Sequence, residues 1–209
     1  MRWLLLLLVV PGPALALPLH APLPANAAPE EEAALSVLRG EGCELRGLTA
    51  AEDRVVRSAA ARVTRALADP EVVDLLRSKT DWVVEEDAGW RTKAVDVPLA
   101  LRWERLIGVF VLDGGCDVAG GAEALTVMGT RAIVLRAPLL APGQEVSLSR
   151  TLIHEALHVL GYTHPDATVD LGGVTYNNSV PVYVGCILQR WPDLVAARRD
   201  CHQPGDHLL

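Results

Sequence analysis

From about residue 49 to residue 67, Val55, Val56, Ala59, Val63 and Leu67 recur at the spacing that places them on one side of a helix. Thr49, with Glu52 three residues on, has the form of a capping box and marks the expected start. Arg54, Arg57, Arg62 and Arg65 interleave with the apolar positions and read as a solvated face. Asp69-Pro70 breaks the pattern, and residues 71–77 read as a short second helix. The period then changes. Residues 82–85, 106–112, 124–128 and 132–135 are short apolar runs rich in β-branched residues, which predict strands. The glycines of 114–121 read as turn-formers, because no helix start follows them as a phosphate cradle requires. Gly129-Thr130 joins the last two strands as a hairpin, and Pro142-Gly143 turns the chain towards a further helix capped by Ser147 or Ser149. Residues 186–200 predict a last helix, interrupted near Pro192, that buries Ile187, Leu188, Trp191, Leu194 and Val195.

Helices flanking a run of strands make this an α+β chain, and its 209 residues suit one domain with a sizeable core. The N-terminus is expected to lie outside that domain. Met1-Arg2, the apolar run 3–10, Pro11-Gly12-Pro13 and Ala14-Leu15-Ala16 together describe a signal peptide over residues 1–16. That run is too short to span a bilayer, which takes about 20 apolar residues. Ala25-Asn26-Ala27 is a second possible cleavage site. Residues 17–34, rich in Pro and Ala, read as a flexible leader or short pro-segment, and residues 35–209 as the folded domain. The exported chain is expected to be secreted or periplasmic and monomeric.

A formal charge of −7 argues against nucleic acid or anionic membrane as a partner. None of the four cysteines, Cys43, Cys116, Cys186 and Cys201, forms a CxxC pair, so they read as two disulfides rather than a thiolate metal site. Of the three connectivities open to them, Cys186–Cys201 is favoured as a short C-terminal staple, leaving Cys43–Cys116.

Candidate chemistry concentrates in residues 154–164, HEALHVLGYTH. On a helix His154 and His158 stand one turn apart on the same face, where two neutral imidazoles can share one metal ion. Glu155 is one step round from His154, so its carboxylate lies beside the metal, where a general base must sit. Gly161 supplies a left-handed helix end that turns the chain back and brings His164 to the same metal. Three nitrogen ligands and one open position describe a catalytic zinc site rather than a structural one. Ordinary residue frequencies give this spacing by chance in roughly one chain of this length in ten thousand or fewer. A core helix with accidentally aligned histidines is therefore a poor account of it.

This stretch resembles the HExxHxxGxxH signature of the metzincin metallopeptidases. The resemblance implies a zincin-like α+β domain with His154, His158 and His164 on one Zn2+ ion and Glu155 as base. It also implies that a strand of the hairpin over 124–135 borders the cleft and accepts a peptide as an added strand. The metzincin methionine turn has no counterpart, since Met1 and Met128 both precede the motif. Residues 179–183, SVPVY, resemble the S-x-M-x-Y turn of astacin-type enzymes, with Pro181 at the methionine position. By that likeness Tyr183 is a hydrogen-bond donor to the transition state, with Tyr176 as the alternative. The expected function is zinc-dependent cleavage of protein or peptide substrates. A zincin hydrolase acting on cell-wall peptide, and an exported zinc-binding protein without turnover, are the competing readings.

Overall fold

The computed structural model describes residues 36, 44–85, 89–97, 108–113, 123–127, 132–164 and 176–201. The signal peptide over 1–16, the leader over 17–34, the Cys43–Cys116 pair, the loop over 114–121 and the Gly129-Thr130 turn lie outside these residues.

Strand β1 (Glu44–Arg46) leads into helix α1 (Ala50–Leu67). The capping box forms in full: Glu52 N donates to Thr49 Oγ1 and Thr49 N donates to Glu52 Oε2. The Arg46 guanidinium grips the same carboxylate through two bonds of 2.7 Å, and with the Thr49 bonds it holds the Glu52 carboxyl at about 2. Val56, Ala59, Ala60, Val63, Ala66 and Leu67 are buried, as the helical period requires. Helix α2 (Pro70–Arg77) starts at Asp69, whose side chain accepts from Glu71 N, with Pro70 in the first turn.

Two sheets follow. Strands β2 (Thr80–Glu85) and β3 (Gly89–Ala94) form an antiparallel hairpin of their own. β3, GWRTKA, lacks an apolar run and was not expected to be a strand; its side of the hairpin is largely exposed, which suits its charged residues. The main sheet contains β1, β4 (Gly108–Asp113), β5 (Ala124–Thr126) and β6 (Ala132–Arg136) in the order β1-β4-β6-β5. β4 and β6 are parallel and the outer pairs antiparallel, and among the described strands β5 is an edge. β6 is buried from Ala132 to Leu135, consistent with an interior strand whose apolar residues run without alternation.

Helix α3 (Glu145–Val159) packs on α1, β5 and the helix that begins at Val180. Its start corrects the sequence expectation, because the cap is Gln144 rather than Ser147 or Ser149. Ser149 is buried inside the helix and donates towards the Glu145 and Ala59 carbonyls, tying α3 to α1. A short 3-10 turn (Tyr176–Asn178) precedes α4 (Val180–Arg190), and α5 (Leu194–Asp200) follows. α3 and α4 approach closely at Gly185, where a Cβ would sit 3.2 Å from Arg150 Cγ and 3.9 Å from His154 Cβ.

Three further expectations are corrected here. Residues 179–183 are not a tight turn but the cap and first turn of α4, with Pro181 where a helix start tolerates proline. Arg62 is not solvated: it donates to the Leu188 and Trp191 carbonyls and lies over the Trp191 ring. Val195 is 79 % exposed, because α5 is a separate short helix that buries Ala197. The Cys186–Cys201 disulfide staples α4 to the end of α5 as the spacing suggested. The described residues thus form a mixed α+β arrangement with a small mixed sheet, and none of their helices is long and apolar enough to cross a membrane.

Candidate metal centre

α3 delivers His154 and His158 from successive turns of one face, and the helix then ends abruptly. Gly161 adopts φ +91°, its N–H donates to the His158 carbonyl and the Tyr162 N–H donates to the Leu157 carbonyl. These two bonds make a Schellman motif, which satisfies carbonyls at the helix end and reverses the chain. The β2–β3 hairpin clamps this turn. Tyr162 bridges Val83, its hydroxyl donates to the Ala94 carbonyl, and Lys93 Nζ donates to the Leu160 carbonyl at 2.7 Å. His164 therefore returns to the two helical histidines from a fixed exit.

The three Nε2 atoms converge. His154 Nε2 lies 3.3 Å from His158 Nε2 and 3.1 Å from His164 Nε2. A tetrahedral zinc ion with bonds of about 2.0–2.1 Å sets its ligand nitrogens roughly 3.3–3.4 Å apart, so the observed edges fit such an ion. The other ring nitrogens decide the tautomers. His158 Nδ1 is 2.7 Å from the Tyr162 carbonyl, which can only accept, so Nδ1 carries the proton. Ser179 Oγ donates its single proton to the Tyr176 carbonyl at 2.7 Å and therefore accepts from His164 Nδ1–H, also at 2.7 Å. The Pro181 carbonyl is the one influence on the His154 ring that favours its proton. Each Nε2 is left with a lone pair facing the other two, and three such acceptors together have no mutual hydrogen bond to make. A cation resolves that conflict, and each oxygen partner fixes the tautomer as metal ligation requires.

Electrostatics agree with neutral ligands. Burial, reinforced by the neighbouring imidazoles and Arg150, pulls His154 down to about 3. Burial and His158 pull His164 down to about 4, and burial lowers His158 against the Tyr162 bond. Glu155 is 6 % exposed, and burial raises its carboxyl to about 7 even though Thr126 donates to it. It lines the same cleft of about 250 Å³ as the three histidines, together with Ala124, Leu125, Thr126, Thr163 and Tyr176.

The structure brings His154, His158, His164 and Glu155 together, and it does not bring Tyr183 to them. Tyr183 points into the core from α4, 2 % exposed, with Lys79 Nζ 4.2 Å from its ring centre. A helical first turn, in place of the expected tight turn, carries it there. Tyr176 does reach the cleft: its ring lies 4.1 Å from that of His164, and the residue is 56 % exposed. Ser179, Tyr162 and Thr126 belong to the site and were not singled out for it from sequence. Only Ser179 had a signal, as the first residue of the segment likened to a metal-supporting turn. Comparison with protein-family models, with curated proteins and with solved structures gave no match for this chain.

Proposed function

We propose that this chain is an exported zinc-dependent endopeptidase of the metzincin type, built on a zincin-like domain. One observation carries the reading: three imidazoles converge in an open cleft, His154 within tetrahedral spacing of the other two, with a buried carboxyl beside them that binding a metal does not require. A zinc ion held by His154, His158 and His164 supplies a Lewis acid that polarises a scissile carbonyl and acidifies a water.

The chain's own groups do the rest. Glu155 takes the proton of the attacking water on its carboxylate and returns it to the departing amine. Burial raises this carboxyl in the metal-free site, so it accepts a proton more readily than a solvated glutamate does. β5, a sheet edge on the cleft wall, offers backbone groups to an extended peptide. Tyr176, whose ring lines the cleft beside His164, is in this reading the donor to the carbonyl oxygen as it gains charge, in place of Tyr183. The apolar run over 3–10 and the Cys186–Cys201 disulfide both favour an oxidising destination.

The test is to purify the exported chain, measure bound zinc and profile cleavage of a diverse peptide library. Glu155→Gln is expected to keep its zinc and lose at least ~100-fold in turnover. Cleavage by Glu155→Gln at the wild-type rate would remove Glu155 from the mechanism. Zinc-loaded wild type that cleaves nothing would favour a zinc-binding protein without turnover.

A further inference from the structure

Thr126 ends the edge strand β5 and lines the cleft. Its Oγ1 stands 2.8 Å from Glu155 Oε2 and 2.9 Å from the Glu155 backbone oxygen. Among the described residues no second side chain hydrogen-bonds this buried carboxyl. We infer that Thr126 is a positioning residue, whose hydroxyl holds the Glu155 carboxyl in one orientation beside the three histidines. The inference rests on the reading of Glu155 as the general base.

The chemistry of the pair supports more than a passive contact. A glutamate has three side-chain torsions to fix, and helix α3 restrains only the first of them strongly. Threonine is β-branched and stiff at χ1, and this one sits in a strand registered against Ile133, which is fully buried. One end of the contact is therefore rigid. The hydroxyl has one proton and two acceptors within reach, the Glu155 carboxylate and the Glu155 carbonyl. The bond to Oε2 ties the carboxyl to the end of β5. Valine has the shape of threonine and cannot make that bond.

The experiment compares Thr126→Val and Thr126→Ser in the zinc-loaded full chain, on a peptide cleaved by the wild type. Thr126→Val is expected to lower kcat by ~10- to 100-fold with zinc content unchanged and KM within about 2-fold, since the cost is misplacement of a reacting group. Thr126→Ser restores the hydroxyl and most of kcat. A second measurement needs no turnover: urea unfolding of the metal-free wild type, Thr126→Val, Glu155→Ala and the double variant. If the two side chains act on each other, the two destabilisations are not additive. Additive destabilisation overturns the inference, as does a raised KM with unchanged kcat, or a kcat loss that serine fails to restore. Full activity in Glu155→Gln strikes the base assignment instead, and a non-additive cycle beside it would show that Thr126 holds a carboxyl that is not the base.

Discussion

Between His154 and His164 the chain carries its chemistry in which side chains it has; between Tyr176 and Tyr183 it carries it in where one hydroxyl and the backbone oxygens lie. The first region offers three side-chain nitrogens that converge, and most residue types carry no such donor. The second offers the Ser179 hydroxyl to His164 and the Tyr176 carbonyl that fixes that hydroxyl, and every residue type has a carbonyl. Ligation is thus written in residue identity, whereas orientation of the ligands is written in the path of the chain. The two regions should consequently fail differently when changed.

The largest effect belongs to the ligands. If the three imidazoles hold zinc as proposed, each carries a large share of the binding, so His158→Ala is expected to weaken zinc by at least ~100-fold. Competition against a chelator of known affinity measures this, and undiminished affinity would remove His158 from the ligand set. Next comes Ser179→Ala, which leaves all three ligands and frees the His164 ring to rotate. It should weaken zinc by roughly 10-fold, the scale of losing a group that orients a ligand. Equal losses in the two variants would erase the distinction between ligand and orienting group.

The smallest effect is a pH dependence of the metal-free protein. His154, His158 and His164 are all held below the ordinary histidine value of 6.5 by burial, so the unfolded chain takes up protons that the folded chain refuses. Stability is then present above about pH 6.5 and drains away as pH falls towards the folded values, about 4 for His164 and about 3 for His154. Glu155 opposes this, because a carboxyl raised to about 7 takes up its proton first in the folded state. Three groups outweigh one, so the melting temperature without metal should fall between pH 6.5 and pH 4.5, and fall less in His164→Gln. A flat or rising profile over that interval would contradict neutral, buried ligands.

The legible parts of this molecule are those where one residue type has one use. Thr49 and Glu52 announce a helix start, and both bonds of their capping box form. The fifteen-residue separation of Cys186 and Cys201 becomes a disulfide between neighbouring helices. Illegible parts are those where one residue type serves two structures. Proline suits a tight turn and the first turn of a helix equally, and at Pro181 the helix prevailed. That choice sent Tyr183 into the core while Tyr176, one 3-10 turn earlier, faces the cleft. Thr126 in an apolar run reads as a strand former, and nothing in its neighbours says that α3 will bring Glu155 to it. Arg62 looked solvated because its acceptors, the Leu188 and Trp191 carbonyls, lie more than a hundred residues away.

Gly161 has room for a side chain, since a Cβ added there would meet nothing within 4 Å. Bulk is not what reserves the position for glycine; handedness is. At φ +91° an L residue sets its Cβ against its own backbone, whereas the mirror-image residue adopts the same angle at ease. L-alanine at this point must either bear the strain or unwind the turn, and unwinding it draws His164 away from the other two imidazoles. D-alanine, introduced by peptide ligation, would keep the turn and the site. The place of the His164 imidazole therefore depends on one missing stereocentre.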